Sequence, residues 1–149
     1  MTLYSADVRK AWDIAREAHK DQTDKSGRPY IEHIEAVAEA VAHRGPTIEA
    51  VAILHDLLED TPWTKEMLFA KGFPPDIVNA VLALTRKEGE RYADFIERVA
   101  RCPEAIPVKL ADLAHNTDPR REWKLPATMR RRYELAIMRL LQAQEEMSR

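Results

Sequence analysis

The chain has 149 residues, of which 45% are hydrophobic and 32% charged, and its formal net charge is −2. This length fits one ordinary domain, and the balance of residue types argues against a disordered, collagen-like or coiled-coil protein. The small negative charge gives no general attraction to nucleic acid, so we expect no nucleic-acid partner.

Apolar residues recur at three- and four-residue steps along most of the chain, which is the pattern of amphipathic helices. The first predicted helix begins at an N-cap of Ser5 or Asp7 and ends near His19 or Lys20. A second helix is predicted to have Pro29 in its first turn and to end at Gly45-Pro46.

The third predicted helix is capped by Thr47 and continues to Asp60, where Pro62 prevents a further turn. It is apolar on most of its sides, so we expect it to be the central, most buried helix. The remaining helices are predicted at residues 64–70, 77–84, 92–99, 108–115 and 127–149.

In the last of these helices we expect five residues to face the core: Met129, Tyr133, Ile137, Leu140 and Leu141. No strand alternation, internal repeat or low-complexity linker is visible. The sequence therefore predicts one all-α domain over residues 1–149.

Three segments concentrate ionisable residues inside these apolar helices. They are residues 19–33, with His19, Lys25-Ser26-Gly27 and His33; then His55-Asp56-Leu57-Leu58-Glu59-Asp60-Thr61; and finally Lys109-Leu110-Ala111-Asp112 with His115-Asn116. A fourth and weaker segment is Leu84-Thr85-Arg86-Lys87. We assign His19 to a packing or supporting role, His43 to the surface, and the basic run at residues 130–132 to a solvated helix face.

The second segment indicates a metal site on physical grounds. His55 and Glu59 are four residues apart, as are Asp56 and Asp60, so each pair shares one face of a continuous helix. A buried carboxylate without a partner is costly or becomes protonated. Four acid or imidazole groups on one buried helix repel one another unless a cation lies among them, so the segment predicts a bound metal ion.

In their order and detail, these segments resemble the HD-domain superfamily, and in particular the hydrolase domain of the RelA/SpoT alarmone enzymes and the stand-alone small alarmone hydrolases. The resemblance covers roughly residues 6–118 and implies a helical HD-domain bundle. In that family, Mn²⁺ enzymes remove pyrophosphate from the 3′ position of ppGpp or pppGpp. Because a chain of this length leaves no room for the synthetase domain of the long enzymes, we do not expect it to synthesise the alarmone.

The resemblance also implies a role for each matching residue. One divalent metal ion would be held by His33, His55, Asp56 and Asp112. Glu59 and Asp60 would be the catalytic acids, and the substrate would be faced by Lys25, Lys109 and Asn116. Two imidazoles and two carboxylates suit Mn²⁺, with Fe²⁺ or Co²⁺ as alternatives, better than Mg²⁺ or a closed zinc site.

The sequence departs from the family on the side that recognises the base. The family usually reads Arg-Lys-Ser-Gly where this chain has Asp24-Lys25-Ser26-Gly27, and Leu113-Ala114 stands before His115-Asn116 in place of Arg-Leu. Another basic side chain could take the place of that arginine, and this is left open; the candidates are Arg86, Lys87, Arg120 and Arg121. The reaction class is therefore better defined than the substrate.

Three functions remain in view. The first is a metal-dependent (pyro)phosphohydrolase of a nucleotide, with (p)ppGpp as the first substrate to test. The second keeps this chemistry on another phosphorylated nucleotide, such as the 2′-phosphate of NADPH or a nucleoside phosphate. The third is a non-catalytic nucleotide-sensing module, which would not need Glu59 and Asp60.

The sequence also carries expectations about location and assembly. The single cysteine, Cys102, excludes an internal disulfide framework and fits a reducing compartment. No signal peptide is visible, and no apolar run reaches the roughly 18 residues of a membrane span. We expect a cytoplasmic protein with no membrane partner, and the oligomeric state is left open.

Overall fold

A computed structural model describes residues 5–120 and 125–149 of the chain. Within these residues the secondary structure is helical, with no β-strand, and the predicted all-α class is confirmed. The helices are α1 (Ala6–Ala18), α2 (Ile31–Val41), α3 (Pro46–Leu54), α4 (Leu57–Asp60), α5 (Lys65–Ala70), α6 (Pro75–Ala83), α7 (Tyr92–Ala100), α8 (Ile106–Asn116) and α9 (Ala127–Met147).

The first helices begin where local chemistry permits. Ser5, one of the two predicted caps, accepts a hydrogen bond from the backbone N–H of Val8 at 3.1 Å. Helix α2 begins two residues later than predicted, because Pro29 pairs with Thr23 in an isolated antiparallel bridge and so lies in the preceding loop.

The predicted Thr47 cap is wrong. Gly45 has φ of 104°, a conformation that favours glycine, and Pro46 occupies the first position of α3. Proline suits this position because its fixed φ is helical and the N–H it lacks would have no helical partner. Thr47 is therefore already inside the helix.

The predicted third helix is broken at the His55-Asp56 pair. Helix α3 ends at Leu54 and α4 begins at Leu57. The carbonyl of Ala52 accepts both the backbone N–H of His55, at 3.4 Å, and the ring Nδ1–H of His55, at 2.6 Å. A side chain that competes for a helical carbonyl in this way interrupts the regular ladder, so the expectation of one continuous helix to Asp60 is wrong.

Helix α3 is central, as predicted. Residues 50–54 are all fully buried, and α3 packs against α1, α2, α6 and α8. Helix α8 also lies against α2 and α9. The ends of α2 and α8 and the break after α3 therefore meet in one place, and a helix apolar on all sides supplies the buried wall behind them.

The last helix differs from its prediction in two of the five residues expected to face the core. Met129 lines a cavity at the surface instead of packing against the core. Leu140 is fully buried, as expected, and Tyr133 and Ile137 pack against the core. Leu141, by contrast, is 51% exposed, because the buried face of α9 is centred on Ala136, Leu140 and Ala143. Among the described residues, no helix is long and apolar enough to cross a membrane.

Two neighbouring residues of α5 provide a test of this packing. Leu68 is 0% exposed and Met67 is 42% exposed. We expect Leu68→Ala to lower the free energy of unfolding by about 2–5 kcal/mol, because it removes buried apolar contacts and leaves a cavity. Met67→Ala is the matched control and is expected to change it by less than about 0.5 kcal/mol. Urea denaturation of both variants measures this, and equal effects would contradict the assigned face of α5.

Candidate metal and active site

Four ionisable side chains from three parts of the chain meet at the break after α3. His33 comes from α2, His55 and Asp56 from the break itself, and Asp112 from α8. Each offers one ligand atom, and these atoms all lie within 4.8 Å of one another. Residues separated by up to 79 positions in the sequence are thus placed as one donor set.

The shortest approaches in this set join imidazole nitrogens to carboxylate oxygens. His33 Nε2 lies 2.9 Å from Asp112 Oδ1 and 3.8 Å from Asp56 Oδ2. His55 Nε2 lies 3.0 Å from Asp56 Oδ2 and 3.5 Å from Asp112 Oδ1. His33, His55 and Asp112 are only 3%, 2% and 5% exposed, so these groups interact in a medium of low dielectric constant.

His55 is oriented by the backbone. Its Nδ1–H donates to the Ala52 carbonyl, which leaves the lone pair on Nε2 when the ring is neutral. This Nε2 is buried and has no aligned hydrogen-bond partner, although Asp56 Oδ2 is close. A buried, unsatisfied nitrogen that faces two carboxylates is the arrangement expected of a metal ligand.

His33 is oriented by a second histidine. Its Nδ1 lies 2.7 Å from Nδ1 of His115, and the two ring centroids are 4.9 Å apart with the ring planes tilted by 30°. If His33 Nδ1–H donates to His115, the His33 Nε2 lone pair faces the donor set, as in metal sites where a second residue fixes the tautomer of the ligand.

The two carboxylates are each held by further side chains. The Tyr30 hydroxyl donates to Asp56 Oδ2. Lys109 Nζ donates to Asp112 Oδ2 at 2.8 Å, and Asn116 Nδ2 donates to Asp112 Oδ1 at 3.2 Å. Burial alone favours the protonated form of Asp112, but the Lys109 ammonium and the histidines outweigh it and hold the pKa of Asp112 well below its usual range.

The donor set fits a divalent cation by its charge. Asp56 and Asp112 bring two negative charges, and Lys109 returns one positive charge. Burial alone favours a neutral His55, but the Asp56 and Asp112 carboxylates outweigh it and raise the pKa of His55 well above its usual value when no metal is bound. With both histidines neutral, as metal ligation requires, the cluster carries one net negative charge, which a bound cation can compensate. Two nitrogens and two carboxylate oxygens suit a transition metal of intermediate softness. These residues therefore form a candidate site for a divalent metal ion.

The two predicted catalytic acids lie at the edge of the cavity in front of this site. The cavity has a volume of about 600 Å³, and its lining includes Asp56, Glu59 and Asp60. Partial burial raises the pKa of Glu59, against the effect of the Arg86 N–H, and burial together with Asp56 raises the pKa of Asp60. Both carboxylates are thus made stronger proton acceptors than ordinary surface acids.

Glu59 is held by the loop between α6 and α7. The backbone N–H of Arg86 donates to Glu59 Oε1. Arg98 keeps this loop in place, since it donates to the Thr85 carbonyl at 2.9 Å and to both carboxylate oxygens of Glu90, at 2.7 and 2.8 Å. Glu90 in turn accepts from the backbone N–H of Lys87 at 3.0 Å. The weak fourth segment of the sequence is therefore a support for Glu59.

The three predicted substrate residues are placed differently. Lys25 is exposed and lines the cavity together with Asn116. Lys109 forms an ion pair with Asp112, with a side chain only 14% exposed. Both Lys109 and Asn116 thus contact a candidate metal ligand directly, and their predicted contact with a substrate stays a prediction.

Asp24, which stands where the family has arginine, closes a turn. Its Oδ1 accepts the backbone N–H groups of Ser26 and Arg28, at 2.8 and 3.0 Å, around Gly27 with φ of 84°. Arg120 forms an exposed ion pair with Asp118 at 2.7 Å, and Arg121 lies outside the described residues.

His19 and His43 are placed as predicted. His19 is buried, lies against the Tyr30 ring at 5.4 Å and contacts Gln22 Oε1 at 2.8 Å. Gln22 also donates to the carbonyl of Asp60 at 3.0 Å, so His19 supports the acid segment from behind. His43 is exposed, as expected.

Sequence reasoning missed several supporting residues. Tyr30, His115, Gln22 and Arg98 received no role, yet each fixes a residue of the candidate site. Tyr30 and His115 lie inside segments that the sequence had already singled out, so position gave a signal for them. Arg98 lies on α7, far from any such segment, and the sequence offered no signal for it.

Comparison with known proteins places the chain in a family. The family model described as HD domain matches residues 11–102. The chain belongs to the HD domain family. The matched span includes three of the four donor residues, and Asp112 lies beyond it.

Two curated relatives show the same family in longer proteins. The guanosine-3′,5′-bis(diphosphate) 3′-pyrophosphohydrolase of Haemophilus influenzae is 40% identical over 115 residues, which are 69% of this chain and 17% of that protein. The bifunctional (p)ppGpp synthase/hydrolase SpoT of Escherichia coli is 36% identical over 122 residues, which are 73% of this chain and 17% of that protein. The HD domain protein thus spans only a small part of these relatives, and its predicted resemblance to RelA/SpoT proteins is confirmed.

A solved structure shares the fold almost completely. It is described as a metazoan ortholog of SpoT that hydrolyzes ppGpp and plays a role in starvation responses. The TM-score is 0.73 at 22% sequence identity, over 97% of this chain and 88% of that one. The predicted HD-type helical bundle is therefore confirmed as the fold.

The ligand set can be tested at Asp112. We expect Asp112→Asn to weaken Mn²⁺ binding by more than about 100-fold, because the replacement keeps the shape but removes a ligand charge beside Lys109. Isothermal titration measures the affinity, and thermal unfolding in chelator checks the fold. Asp94→Asn, an exposed acid on α7, is the control and should bind Mn²⁺ normally. Unchanged affinity in Asp112→Asn would show that Asp112 is not a ligand.

The support of His33 can be tested separately. We expect His115→Ala to weaken Mn²⁺ binding by about 10- to 100-fold, since residues that orient a ligand contribute on this scale. The surface residue His43 provides a matched control, and His43→Ala should leave the titration unchanged. If both variants bind alike, the contact between His33 and His115 does not hold the ligand.

Proposed function

We propose that this HD domain protein is a metal-dependent phosphohydrolase that removes pyrophosphate from the 3′ position of (p)ppGpp, with Mn²⁺ as its metal and the cytoplasm as its location. The observation that carries the proposal is the buried donor set of His33, His55, Asp56 and Asp112 in the same cavity as two further acids. Metal-assisted hydrolysis of a phosphate bond uses a metal ion together with a carboxylate that moves the proton of the attacking water.

The relatives support the substrate. One of them is named for 3′-pyrophosphohydrolysis of guanosine bis(diphosphate), and the other for both synthesis and hydrolysis of (p)ppGpp. This chain matches only 17% of each. A metal site with accessible carboxylic acids is suited to hydrolysis of (p)ppGpp, which is one of the two activities named for these relatives.

The residues of the site divide the chemistry among them. A bound divalent cation supplies Lewis acidity and makes water more acidic. Glu59 or Asp60, with raised pKa values, would accept the proton of the attacking water and later return it to the leaving group. Lys25 at the cavity wall would balance phosphate charge as it develops. The cavity volume of about 600 Å³ lies within the range of roughly 300–1,000 Å³ that is typical of small-molecule binding sites.

Asp24 favours a second candidate function within the same chemistry. Its carboxylate is used to close the turn that carries Lys25, where the family has an arginine beside the base. The base side of the site is thus changed while the metal side is complete. Another phosphorylated nucleotide, such as NADPH losing its 2′-phosphate or a nucleoside phosphate, is therefore the alternative substrate.

The reaction is tested by a substrate panel. The purified protein is loaded with Mn²⁺ and given ppGpp, pppGpp, NADPH or common nucleoside phosphates, and release of pyrophosphate and phosphate is followed separately. Pyrophosphate release from ppGpp supports the main proposal, and phosphate release from NADPH supports the alternative. Tight metal binding without turnover of any substrate would contradict an enzyme and leave the nucleotide-sensing module.

The acid is tested by one substitution with a matched control. We expect Glu59→Gln to reduce kcat by at least about 100-fold, because the amide cannot take up a proton. Mn²⁺ affinity should stay within a factor of about three, since Glu59 is not in the donor set. Glu66→Gln, an exposed residue of α5, should leave both unchanged. Full activity in Glu59→Gln would exclude it as the essential acid.

A further inference from the structure

Helix α9 has an apolar face that points away from the core. Its buried side is formed by Ala136, Leu140 and Ala143. On the rest of its surface Leu135, Met138 and Leu141 are 48%, 64% and 51% exposed, and Leu135 also lines the cavity between α7 and α9. Residues three apart are neighbours on a helix surface, so these three form an apolar stripe. The exposed polar residues Glu134 and Gln142, each four residues from Met138, lie along the same face. Such a stripe on a soluble domain indicates a contact surface.

Charges of opposite sign flank the stripe. Residues 130–132 are three arginines near the beginning of α9, and residues 145–146 are two glutamates near its end, all exposed. Arg131 and Glu145 each lie seven residues from Met138, which is about two helical turns. They therefore share the face of Met138, one at each end of the stripe.

The stripe is also symmetric about its centre. Leu135 and Leu141 each lie three residues from Met138, on either side of it. A two-fold axis through Met138, perpendicular to the helix, places Leu135 of one copy beside Leu141 of the other, and Arg131 of one copy beside Glu145 of the other. A surface that matches itself in this way is what an isologous dimer needs.

We propose that this face of α9, consisting of Arg131, Leu135, Met138, Leu141 and Glu145, binds the same face of a second copy of the chain. The two α9 helices would run antiparallel about a two-fold axis at Met138. The proposal concerns a surface away from the metal cavity and does not depend on the proposed reaction.

The charges select the antiparallel direction. In it Leu135 of one copy lies at the height of Leu141 of the other, and Arg131 lies at the height of Glu145. In a parallel pair Arg131 would lie beside Arg131 of the other copy, and Glu145 beside Glu145. Repulsion between these like charges would disfavour the parallel arrangement and slow its formation. The contact of Glu145 with Arg149 within one chain, at 3.3 Å, is an exposed i, i+4 pair worth little, and does not prevent the new pairing.

Pairing along one helix makes a modest interface. Helix α9 has 21 residues and therefore a length of about 30 Å. Three apolar residues from each copy form the centre, and the charged residues form the rim, as in protein interfaces generally. Interfaces of this small extent are usually weak and transient, so we expect an association in the micromolar range.

The oligomeric state tests the proposal. Light scattering after size exclusion, and sedimentation velocity, are measured on the full chain from about 1 to 200 µM, the range in which a micromolar dimer forms and dissociates. We expect the mass to rise from one chain toward two. Met138→Glu places two carboxylates at the axis and should weaken the dimer by at least about 100-fold. The control Met67→Glu, at an exposed position of α5, should leave the dimer unchanged.

Charge reversal tests the direction of pairing. Arg131→Glu and Glu145→Arg alone should each weaken the dimer about tenfold, and the double variant should restore it, because each rim pair is rebuilt with reversed sign. All these side chains are exposed, so thermal unfolding should be unchanged at low concentration.

Three results would overturn the proposal. The first is a single-chain mass at every concentration. The second is a dimer that Met138→Glu does not affect, which would place the interface elsewhere. The third is a dimer weakened in both single charge variants and not restored in the double variant, which would rule out the antiparallel arrangement.

Discussion

The structure depends on the burial of two carboxylates, Asp56 and Asp112, against two imidazoles inside a helical bundle. Such a group of charges is unfavourable in a low-dielectric interior unless each atom has a partner. Most of the polar contacts around it meet this need: Tyr30 and Lys109 each hold one carboxylate, and the Ala52 carbonyl holds His55. The Nε2 atom of His55 is the exception, and it faces the place where a cation would complete the balance.

The same constraint shapes the backbone. A regular helix from Pro46 to Asp60 would direct His55 and Asp56 to different sides, about 100° apart. By bonding to Ala52 through its ring, His55 ends α3, and the chain resumes as α4 two residues later. The break brings both side chains to one point opposite α2 and α8. Helical regularity is lost at the position where the donor set is assembled.

The sequence predicted the helices well and the deviations poorly. Apolar spacing located α1, α2 and α5 to α9, because an amphipathic helix shows its buried face in its period. The break at His55 depends on a ring nitrogen reaching a carbonyl, and the orientation of Leu141 depends on which side of α9 meets α7 and α8. From the sequence alone, Asp24 is interpreted only as the loss of an arginine that contacts the substrate. In the structure its carboxylate accepts hydrogen bonds that close a turn. The spacing of apolar residues carries no information on such contacts. The order of the sequence motifs, by contrast, predicted which four residues form the donor set.

The two histidines of the donor set differ in what holds them, and this sets how the site can evolve. The ring of His55 is tied to a main-chain carbonyl, which no substitution at Ala52 removes. The ring of His33 is tied to the side chain of His115, which a single codon change can replace. Variation in metal preference among descendants of this chain should therefore accumulate around His33 and His115, while the half of the site at His55 stays constant.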